Sequence, residues 1–177
     1  MIALSKKHKI FISTSILLNI VLISIVIISV IKMNTMTERT LKTNVIDQLF
    51  GLHETIAKQE NENWSDLVFV SKQLEDTSLS IAHALNIGET SGTINKDDAE
   101  ILLKLSMYLM RYSFIYDDSN IPSQTVEEMK LNLIRFNTIL AERGFDNEEA
   151  FDGWTKQNYI KKLRDIVSEI EKAEGEI

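Results

Sequence analysis

Apolar and polar positions divide this chain into two regimes. From Ile10 to Ile31 the sequence runs apolar over 22 positions without a charge, closed by Lys6, Lys7 and Lys9 on one side and Lys32 on the other. At about 1.5 Å per residue, a helix of that length reaches roughly 33 Å, enough to cross a hydrocarbon core of about 30 Å. Beyond it, apolar residues recur with a helical period. Leu41, Val45, Leu49, Leu52 and Ile56 form a first amphipathic stripe, with Gly51 inside it at a cost of about 1 kcal/mol against Ala. Polar Glu60 to Asn63 interrupt it. A second stripe, Leu67, Val70, Leu74, Ile81 and Leu85 with Trp64 at its start, ends around Asn86 to Gly88, and Gly92 marks a loop.

Asn95 opens a third helix, with Asp98 three positions on in a capping-box arrangement and Asp97 in the favourable first turn. Leu102, Leu103, Leu105, Tyr108, Leu109, Tyr112 and Phe114 make this segment apolar on most of its circumference, which predicts a central helix or one covered by a partner. Asp117 to Gln124, containing Pro122, is the next break. Val126, Met129, Leu133, Phe136 and Leu140 form a fourth stripe, capped by Gly144 with Phe145 folding back. A short connection around Phe151 and Trp154 leads to Ile160, Leu163, Val167 and Ile170. No window alternates with period two for long enough to make a strand. The pattern predicts an all-α chain: an N-terminal transmembrane helix followed by an antiparallel bundle of four or five helices. The breaks at 86–95 and 117–124 exclude one continuous coiled coil. No strong breaker separates the membrane segment from the first stripe, so the membrane helix is expected to run on as a stalk.

A signal peptide also pairs basic residues with an apolar stretch, but its core spans only about 7 to 15 residues and ends in a small-x-small cleavage site. Val30, Ile31, Lys32 and Met33 offer no such site. The segment is therefore read as an uncleaved anchor. Its polar residues, Ser13, Thr14, Ser15, Asn19, Ser24 and Ser29, are uncharged, and hydroxyls there can bond back to the preceding turn. Asn19 is the costliest and offers a way to pair two anchors in a homo-oligomer. Lys6, Lys7 and Lys9 are denser than Lys32, Arg39 and Lys42, so the N-terminus is expected in the cytoplasm and the C-terminal domain outside it. The expected organisation is a short basic tail at 1–9, the anchor at 10–31 and an acidic extracytoplasmic bundle at 32–177.

Charge sharpens this division. The first 32 residues hold four of the 19 Lys and Arg and none of the 26 acids, leaving 15 bases against 26 acids, a net −11, for the remainder. Such a domain repels phosphate backbones, so no nucleic-acid partner is expected, and flat adhesion to anionic lipid is disfavoured as its main work. The absence of cysteine excludes disulfides, thiolate metal sites and Cys nucleophiles.

Catalytic signatures are lacking. His8, His53 and His83 have no ligand spacing, Asp117 to Glu128 fails the calcium-loop pattern at Ile121 and Pro122, and Gly88 and Gly92 precede no Lys-Ser or Lys-Thr pair. The acids at Asp146 to Asp152 read as a helix start, and Asn63-Trp64-Ser65 as a chance sequon. No metal, no cofactor and no enzymatic activity are expected. Two groups remain as binding candidates. The Met and aromatic run of the third helix, Met107, Tyr108, Met110, Tyr112, Phe114 and Tyr116, could line a small-molecule pocket or a partner groove, and within it Tyr108, Arg111 and Tyr112 set a guanidinium beside phenols, where it needs a carboxylate, solvent or an anionic ligand. Phe145, Phe151 and Trp154 either seal one end of the bundle or form an exposed patch.

One N-terminal span followed by an extracytoplasmic helical bundle resembles the LemA-type membrane proteins and, more distantly, bacterial chemoreceptor sensor bundles. The resemblance is one of architecture, and it carries over no residue. The sequence thus points to a single-pass, non-enzymatic interaction module that meets another envelope protein. The alternative is a bundle that senses a small molecule within its core. A large apolar pocket around Arg111 would favour sensing, whereas a filled core with an apolar surface patch would favour partner binding.

Overall fold

A computed structural model describes residues 6–113 and 123–175. The expected break at Asp117–Gln124 falls almost wholly outside these, as do Phe114 and Tyr116. All described structure is helical, without a strand. The elements are α1 (Lys6–Leu41), a π turn (Lys42–Ile46), α2 (Asp47–Asn61), α3 (Leu67–Thr90), α4 (Lys96–Ser113), α5 (Ser123–Glu142), a 3-10 turn (Glu148–Phe151) and α6 (Lys156–Gly175). The chain forms two compact units, Met1–Met36 and Thr37–Ile177.

In the first unit every side chain from Phe11 to Met36 is exposed. This long apolar helix has the length and composition to cross a membrane. Ser24 Oγ donates to the Ile20 carbonyl at 2.9 Å and Thr35 Oγ1 to the Ile31 carbonyl at 3.0 Å, so these hydroxyls are satisfied within the helix itself.

In the second unit the predicted stripes become the core. Leu41, Val45, Leu49, Leu52 and Ile56 are fully buried. The π turn, closed by Asp47 N–H on the Lys42 carbonyl, inserts one residue into the helical repeat, and Val45 and Ile46 are both buried there. α2 packs against α3 and α5, α3 against α4, and α6 against α4 and α5. Between Leu74 and Ile81 the α3 stripe is completed by Thr77 and Ser78, both fully buried, which hydrophobic periodicity alone passes over.

The helix ends follow from backbone chemistry. Asp66 accepts from Phe69 N at 3.0 Å to cap α3. α3 runs to Thr90, two residues past the predicted stop, because Gly88 serves the helix body. The chain turns instead at Gly92 (φ +66°), with Thr93 N on the Gly88 carbonyl and Gly92 N on the Glu89 carbonyl. α5 ends the same way at Gly144 (φ +87°), where Phe145 N bonds the Leu140 carbonyl at 3.1 Å and the Phe145 ring is buried. Only half of the expected capping box at α4 forms. Asn95 Oδ1 accepts from Asp98 N at 2.9 Å, but the Asp98 carboxylate faces Arg164 at 3.4 Å.

Candidate functional site

The predicted aromatic sites divide on burial. Phe145 and Phe151 are buried and lie 4.7 Å apart between ring centroids; Trp154 stands 4.9 Å from Phe151 and 5.8 Å from Tyr159. These rings pack into the interior, and Lys162 Nζ covers the Trp154 ring at 5.4 Å. Tyr159 is buried too. Its hydroxyl donates to the Phe151 carbonyl at 3.2 Å, and burial raises its pKa above the ordinary 10.0.

Tyr108 and Tyr112 meet edge to face at 5.2 Å, and Tyr108 lies 5.5 Å from Phe136. Tyr112 is buried, Tyr108 half-buried and Arg111 exposed. The groove beside Arg111, walled by Met107 and Tyr108 on α4 and by Ile170 and Glu171 on α6, holds about 160 Å³. Small-molecule sites usually run from about 300 to 1,000 Å³. The space between Tyr112 and Phe136 is about 20 Å³, so the interior around the predicted pair is filled.

Hydroxyls seam α3 to α4. Ser78 Oγ donates to the Ser106 carbonyl at 2.9 Å, Ser106 Oγ to the Ser78 carbonyl at 3.2 Å, and Ser71 Oγ to the Ser113 carbonyl. Side chains this small let the two backbones approach, and the bonds satisfy groups that no water reaches. Above the seam lies an apolar surface in which Leu103 and Met107 belong to the apolar run of α4, while Leu79 stands off the α3 stripe. Leu79 on α3 is 52% exposed, and Leu103 and Met107 on α4 are 48% and 63% exposed. With Ser78 level with Ser106, the 100° step per residue turns all three to the same outer flank, beside exposed Ala82 and half-buried Met110. α3 and α6 leave this flank of α4 open, so within the chain the helix is not central on every side.

Among the described residues, no group of three or more His, Asp or Glu could hold a metal ion. His53 Nδ1 lies 2.7 Å from Asn137 Oδ1, and His83 is exposed. A second groove, of about 300 Å³, is polar and lined by Asn95 and Asp98 of the α4 start and by Lys156, Lys161 and Arg164 of α6. Lys156 Nζ donates to the Thr93 carbonyl at 2.6 Å, and its backbone N–H to Glu38 Oε1 at 3.3 Å. Elsewhere exposed pairs shift pKa values: the Asp152 hydrogen bond raises Lys42, and the Glu171 hydrogen bond raises Lys104. No protein-family model, curated protein or solved structure matches the chain.

Proposed function

We propose that this protein is a single-pass membrane-anchored interaction module whose helical domain binds another envelope protein through the outer flank of α3 and α4. The observation that carries the reading is the apolar patch of Leu79, Leu103 and Met107 above a filled core. Isolated exposed leucines are ordinary, but three large apolar side chains on one flank of two joined helices favour a contact surface. The sensing alternative would need a cavity in the α4 interior, and the 160 Å³ groove at Arg111 lends it little support.

The bundle arrangement that presents this flank is read as antiparallel. Ser71 with Ser113 and Ser78 with Ser106 climb one helix while descending the other, and this supports opposite directions for α3 and α4. The anchor at 10–31 supports insertion into a membrane, and the denser lysines at 6–9 support a cytoplasmic N-terminus with the domain outside. Asn19 leaves room for a homo-oligomer through the membrane helix.

The test is a photo-crosslinking side chain at Leu103 in the native membrane, followed by identification of the adduct. An adduct with one envelope protein, lost on Leu79→Lys while the melting temperature holds, is the expected result. Self-adducts alone, or none, refute the reading. Protease added to wall-stripped intact cells should remove the domain; survival until the membrane is opened reverses the orientation.

A further inference from the structure

We propose that the groove where α4 and α6 begin binds the phosphate headgroup of anionic lipid in the bilayer that holds residues 10–31, seating the domain on the membrane surface. The inference rests on the membrane-anchor reading of that segment. It begins from the unevenness of the domain's charge. Residues 156 to 164 hold Lys156, Lys161, Lys162 and Arg164 and no acid, within a domain of net −11. Three of these cations line the groove. The one carboxylate on its wall, Asp98, is engaged by Arg164 at 3.4 Å, and Asn95 adds an amide beside the first turn of α4.

The chain path ties this groove to the segment that follows residues 10–31. Lys156 is tied through its backbone to Glu38, and Thr37 meets Thr93 hydroxyl to hydroxyl. Glu38 follows Ile31 by seven positions, a contour of at most roughly 25 Å. The contour therefore limits how far the Lys156 backbone can stand from the end of the apolar run. The groove's chemistry also selects the occupant. A nucleic acid would have to lie along the acidic remainder of the domain and be repelled, and the same repulsion limits lipid binding to single headgroups that enter the groove. Free phosphate has the same chemistry, but a groove tethered beside a bilayer meets headgroups at high effective concentration. Clustered cations near an anionic surface each strengthen such binding roughly fivefold.

The experiment uses the full chain, which has no cysteine, with a single Gln157→Cys fluorophore in the groove and Ser65→Cys on the α2–α3 turn as control. Each is reconstituted in phosphatidylcholine vesicles with or without phosphatidylglycerol and probed with a headgroup-attached quencher. The expected result is quenching at position 157 that needs phosphatidylglycerol, is reversed by high salt, and is absent at position 65. Lys161→Gln with Arg164→Gln should weaken the docking equilibrium about 25-fold at about fivefold per cation, while Arg164→Lys retains it. An unchanged melting temperature in these variants separates loss of docking from loss of fold. Equal quenching with and without anionic lipid overturns the proposal but leaves the anchor standing. Failure of the chain to float with either vesicle overturns the anchor reading itself. Protection of Gln157→Cys from a soluble quencher by inorganic phosphate alone, in detergent and without effect of phosphatidylglycerol in vesicles, would assign the groove to a free anion instead.

Discussion

Gly88→Ala should destabilise the domain although it places a better helix former inside a helix. A Cβ at this position would sit 2.1 Å from Ile94 Cδ1, 2.4 Å from Cγ1 and 2.9 Å from Cβ. Rotating the Ile94 side chain moves the first two atoms away, but its Cβ is fixed to the backbone, so the turn itself must shift. That turn is held by Thr93 N and Ile94 N on the Gly88 carbonyl at 3.0 and 3.2 Å. Overpacking of this kind costs about 1–3 kcal/mol, and a weakened hydrogen bond adds about 1. The gain in helix propensity returns about 1 kcal/mol. The net expectation is a loss of about 1–3 kcal/mol. Gly51→Ala supplies the control, because a Cβ there meets only Gln73 Nε2 at 3.8 Å. It should stabilise by about 0.5–1 kcal/mol. Urea unfolding of the full chain in nonionic detergent, followed by circular dichroism, measures both. If Gly88→Ala is as stable as the parent chain, Ile94 does not pack against Gly88 in the α3–α4 turn.

Leu105→Asp and Leu133→Asp place a charge at positions that are 0% and 1% exposed; each should cost several kcal/mol in the same assay, and a loss below about 0.5 kcal/mol would deny them a core position. Thr77 Oγ1 is buried without a hydrogen-bond partner among the described residues, so Thr77→Val should raise stability by about 1 kcal/mol. Because burial raises the Tyr159 pKa in the folded state, its contribution is complete below pH 10 and is lost as pH rises through the folded value. Urea midpoints should therefore fall as pH rises above about 10, a tyrosine's ordinary pKa, and Tyr159→Phe should flatten that fall. Arg111→Ala should shift stability by less than about 1 kcal/mol, as exposed pairs do, and leave capture at Leu103 undiminished; lost capture would move the contact surface to the α6 side of α4.

The long apolar run, the helical stripes and the turn at Gly144 were legible in the sequence because each is a local matter. An uncharged run of membrane length, a period of 3.6 and a glycine after the last apolar residue need no knowledge of what lies across the fold. Leu41 to Ile56 were readable as one buried face for that reason. Whether Phe145, Phe151 and Trp154 seal the interior or lie open was not readable, since both outcomes use the same residues and only packing against Tyr159 decides. The same holds for α4. Its sequence is apolar nearly all round, and it is the position of α3 and α6 that leaves Leu103 and Met107 in solvent while burying Leu105 and Leu109. Thr77, Ser78 and Ser106 read as polar interruptions, yet they lie inside, because the helices approach closely enough for Ser78 and Ser106 to satisfy each other across the seam. Nor does a summed charge of −11 reveal that Lys156, Lys161 and Arg164 line a groove with Asn95 and Asp98 of the α4 start. Composition sums over the chain, whereas a site depends on which residues long-range contacts bring together.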